Sequence, residues 1–154
     1  MLSSSKLATE LLAIGQQTTE AAAIQAWAGA LLAYFSDAQS NAVPILPAGL
    51  EAARPSLLAG LAGLGADGPA ALLSGLQAFW GALVPSACWP ATAAVTPPPG
   101  LAGLPAALQT VFLANMSGAL SAELACQAVA DVLHGVLQGG LAVWPDPVGA
   151  QPIL

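Results

Sequence analysis

At 154 residues the chain has the length of one domain, and 56% apolar against 6% charged residues is the opposite of a disordered composition. Lys6 and Arg54 are its only bases and the net charge is −6, which excludes ordinary phosphate-neutralising nucleic-acid binding. Two cysteines, Cys88 and Cys126, are too few for a disulfide scaffold.

Residues 3–38 read as one long helix or two collinear ones, with Ser3, Ser4 or Ser5 as the starting cap. Leu7, Leu11, Ile14, Thr18, Ala21, Gln25, Ala28, Leu32 and Phe35 recur in steps of three and four as a heptad-like stripe. Ile24, Trp27, Leu31 and Tyr34 form a second row beside it. Gly15 and the Gln16–Thr19 run mark a candidate break, with Thr19 as a second cap. Trp27, Tyr34 and Phe35 read first as core. Trp27 and Tyr34 are also candidates for an interaction surface.

Residues 39–55 read as an extended connection held by Pro44 and Pro47. Pro55 suits the first turn of a helix over about 56–64. Asp67 within Gly65–Pro69 is the expected cap of the next helix, over 70–84, which ends at Pro85. Residues 85–100 form a second irregular strap, and Pro97, Pro98 and Pro99 favour polyproline II there. Such a strap fits either a covered neighbour or a stiff surface loop.

The last third predicts a helix over 104–116, a turn at Ser117 and Gly118, and a helix over 122–138. Ser121 and Glu123 favour the start of that helix, and Gly139 and Gly140 its end. The tail 141–154 is too proline-rich to be helical and reads as a short edge strand or an arm packing on a neighbour. The expected architecture is therefore mainly α. It is a bundle of about four to five helices in a single domain, 1–140. Proline-rich connections lie at 39–55 and 85–100, and an extended C-terminal arm at 141–154.

Ten formal charges cannot break up the surface of a free monomer in the usual way. Burial against other chains, or lipid, would resolve this. The apolar windows are poor membrane spans. Residues 21–35 are short, 56–84 are split by Asp67-Gly68-Pro69, 101–120 contain Pro105, and 124–141 contain Asp131 and His134. None has flanking Lys or Arg clusters. A small integral membrane protein with short or re-entrant helices is the alternative reading, and an apolar-ligand carrier a third. Glu10 interrupts the first apolar stretch, so no secretory signal is expected and the thiols are expected to be reduced.

No catalytic constellation emerges. His134 is the only histidine, and Asp131, one turn earlier, is its expected hydrogen-bond partner. Cys126 is two turns from His134, too far along the helix for a thiol–imidazole pair. The acids are spread singly, and one His with two distant Cys does not make a zinc site. Gly60, Gly63, Gly65 and Gly68 lack the Lys-Ser/Thr of a phosphate loop and suit close helix approach instead. The sequence thus predicts no enzyme, no cofactor and no metal.

Low charge, wide Ala/Leu helices, proline straps and an apolar tail resemble the small Ala/Gly/Pro-rich structural proteins of tailed bacteriophage particles. The resemblance implies a capsid, neck or tail component, found in a virion or a cytoplasmic assembly. Its partners would be copies of itself and other structural proteins of that assembly. Candidate interface residues are Trp27, Tyr34, Trp89, Pro97, Pro98, Pro99 and Trp144. Trp89 and Trp144, set among prolines, are the expected anchors.

Overall fold

A computed structural model covers residues 1–154. Its first two helices are α1 (Ser4–Ile14) and α2 (Glu20–Phe35). The Ser3 side chain accepts from the Lys6 amide and Thr19 from the Ala22 amide, so each helix has its own cap. Gly15 ends α1 at φ 59°, a left-handed conformation that glycine adopts freely. The two helices are not collinear. Lys6 Nζ lies 2.7 Å from Asp37 Oδ2. In one straight helix these residues would be about 45 Å apart at about 1.5 Å per residue. The chain turns back at Gly15 because the Leu7/Leu11 stripe of α1 is then buried in the core rather than left in water.

A two-residue hairpin follows, β1 (Gln39–Ser40) with β2 (Val43–Pro44), turning at Asn41 and Ala42 with positive φ. Helix α3 (Pro47–Gly60) then starts nine residues earlier than Ser56. The expected extended connection 39–55 is therefore half helical. Pro47 opens the helix and Pro55 lies inside it. Pro55 is exposed, so the carbonyl that its missing N–H leaves unbonded is on the solvent side. Helix α4 (Gly68–Ala82) is capped by Asp67, whose carboxylate accepts from the Ala70 amide.

α3 and α4 pack at close range through glycine. A Cβ added to Gly60 would lie 2.6 Å from Gly75 Cα and 2.7 Å from the Ser74 carbonyl oxygen. This is the close approach expected for Gly60. Gly63 instead takes φ 85° in the turn between the two helices.

After the short α5 (Pro85–Cys88) comes β3 (Ala94–Thr96), then a 3-10 turn over Pro99–Gly103. Helices α6 (Leu104–Met116) and α7 (Ala122–Leu137) form a third helical pair, with Ser121 accepting from the Leu124 amide as the cap of α7. Strands β4 (Leu141–Val143) and β5 (Ala150–Pro152) end the chain. The architecture is mainly α, with 61% of residues helical, in seven helices rather than four or five. The division of 3–38 and the short α5 add to the count.

The tail is not a free arm. β4 is the central strand of a sheet ordered β3–β4–β5, and Gln39 and Leu154 exchange both backbone hydrogen bonds at 2.8 Å. Ala142 and Ile153 are buried. Strap 85–100 likewise pairs within the chain through β3. A connected core of 31 buried residues runs through all three helical pairs and reaches this sheet. Phe35 stacks on Phe79 at 4.8 Å near its centre. No helix is long and apolar enough to cross a membrane.

Candidate interaction surfaces

The sequence candidates divide sharply by burial. Tyr34 is 0% and Trp89 1% exposed, so both belong to the core and neither can touch a partner in this conformation. Trp89 Nε1–H donates to the Val43 carbonyl at 3.0 Å, which ties α5 to β2. Its proline surroundings suggest an anchor, but the side chain lies inside the core. Trp144 is half-buried and its Nε1–H donates to Ser40 Oγ at 3.1 Å. Trp27 is half-buried on α2. Of the triplet, Pro98 is buried while Pro97 and Pro99 are exposed.

His134 does not pair with Asp131. Its Nδ1 is 2.8 Å from Tyr34 Oη, while Asp131 accepts from the Gln127 amide. Tyr34 lies 100 positions away and was invisible to a reading of one helix face. Burial raises the Tyr34 phenol above its ordinary value, so it stays protonated. Burial also pushes the Cys88 thiol up to about 11. Cys126 is raised too, by burial and then by the neighbouring Glu123 carboxylate. Neither thiol is an activated nucleophile. The Glu123 carboxyl is held below its usual range by its own backbone amide and then by Ser121.

Two surfaces remain open: one whose exposed Leu113, Met116 and Leu124 the sequence reading did not single out, and one bordered by its candidates Pro97, Pro98 and Pro99. The first is the end of the bundle where α6 passes into α7. Leu113, Met116 and Leu124 are 59%, 82% and 59% exposed there. α6 is apolar on two sides: Leu104 and Leu108 face the core, while Leu113 is about half a turn of phase away. Phe112 stands between two clefts at this end. One, of about 190 Å³, is bounded by Leu11, Trp27, Cys126 and Val129. The other, of about 390 Å³, is bounded by Pro69, Leu113 and Met116. The missing signal was the absence of any charged residue on α6, with Leu113 and Met116 left outward once Leu104 and Leu108 are set inward.

The second is a cleft of about 660 Å³ between α4 and the β3–Pro97–Pro99 strap. Trp80 and Gly81 form one wall, and Ala93, Ala94, Val95 and the prolines the other. Trp80 is 5% exposed, and its Nε1–H is the one buried side-chain donor without an acceptor. No group of three His, Cys, Asp or Glu side chains comes together to hold a metal ion. No protein-family model, curated protein or solved structure matches the chain.

Proposed function

We propose that the chain is a non-enzymatic assembly subunit that works through apolar contacts with copies of itself and with other structural proteins. A bacteriophage particle, as capsid, neck or tail component, is the setting its composition resembles. The observation that carries this reading is the exposure of Leu113, Met116 and Leu124 on either side of the α6–α7 turn. Large side chains of this kind cluster at contact faces, and burying each removes apolar surface from water at roughly 25 cal/mol per Å². With only ten formal charges on the chain, little else on the surface opposes close contact.

Light scattering after size-exclusion chromatography in detergent-free buffer tests it. The wild-type chain should elute as a multimer. The double variant Leu113→Glu, Met116→Glu should shift to a smaller species with unchanged circular dichroism, since both positions are on the surface. A wild-type chain that stays a single copy at high concentration would overturn the reading.

A further inference from the structure

We draw no further inference here: the strongest candidate, the apolar cleft of about 190 Å³ between α1, α2, α6 and α7 that Leu11, Trp27, Phe112, Cys126 and Val129 bound, is uncharged and adjoins the surface already described, and nothing in the structure shows what covers it.

Discussion

Tyr34 Oη and His134 Nδ1 meet at 2.8 Å across 100 positions of sequence, and they join the N-terminal hairpin to the last helix. The phenol ring is buried and lies edge-on to both Phe35 and His134. Burial keeps the Tyr34 hydroxyl protonated, and it shares a hydrogen bond with the imidazole nitrogen. Tyr34→Phe keeps the ring packing and deletes only the hydroxyl. The imidazole is half-buried and regains water in part, so the expected cost is about 1 kcal/mol. Urea unfolding should show a lower midpoint with an unchanged slope. A double-mutant cycle with His134→Gln should give a coupling of similar size. Zero coupling would mean the contact contributes nothing.

Glycines in this chain make a paired prediction with opposite signs. At Gly60 a methyl group would run into the backbone of Gly75 and Ser74, which cannot step aside. Gly60→Ala should therefore force α3 and α4 apart and cost about 1–3 kcal/mol. At Gly29, an exposed position inside α2, an added Cβ meets nothing within 4 Å. Gly29→Ala should stabilise by roughly 0.5–1 kcal/mol through lost unfolded-state entropy. Thermal melts of the two variants should move in opposite directions from the wild type.

These contrasts show where the sequence was readable. Local signals carried through: Ser3, Thr19, Asp67 and Ser121 all accept the capping hydrogen bond expected of them. The predicted 104–116 helix is α6, and 122–138 is α7 to within a residue. What failed depends on contacts distant in sequence. The α1–α2 hairpin is fixed by burial of Leu7 and Leu11, the His134 partner lies on another helix, and the partners of β4 are at 94–96 and 150–152. Proline misled in two ways. Pro55 sits inside α3 on its wet side, and the prolines around Trp89 flank a core residue and not a contact face. Among the candidate surface residues, only burial separates Trp89 from Trp144, and the two have the same local texture in the sequence.

Cys88 gives a pH dependence with a definite sign. Its thiol is fully buried beside Gly49 and is pushed up to about 11, from 9.0 for a free thiol. The folded chain therefore holds the proton more tightly than the unfolded chain does. The resulting stabilisation is complete below pH 9, shrinks as pH rises from 9 to about 11, and is gone above that. Tyr34, raised further by the same burial, adds a loss in the same direction at higher pH. Denaturant midpoints taken between pH 8 and 11 should fall in the wild type. Cys88→Ala should flatten the curve across that window, after a constant loss for the small cavity it leaves. An identical slope in the variant would remove Cys88 as the cause.

Removal of residues 141–154 is the sharpest test of the tail. A projecting arm could be cut with little effect on the helices. Here the cut removes the central strand β4 and leaves β3 without a partner. It takes away Ala142 and Ile153, both buried, and opens the core beside Ser40. It also deletes the Trp144 donor, which leaves the buried Ser40 hydroxyl without its hydrogen bond. Losing one large buried aliphatic side chain alone costs about 2–5 kcal/mol, comparable to much of the stability of a small domain. The truncated chain should therefore melt well below the full-length protein, or lose helical circular dichroism outright, even as a dilute single copy. Trp144→Phe isolates the polar part of that loss: it keeps an aromatic ring over β1 and should cost about 1–2 kcal/mol through the orphaned Ser40. A truncation that keeps the wild-type melting temperature while changing only the particle size would return the tail to the role of an arm.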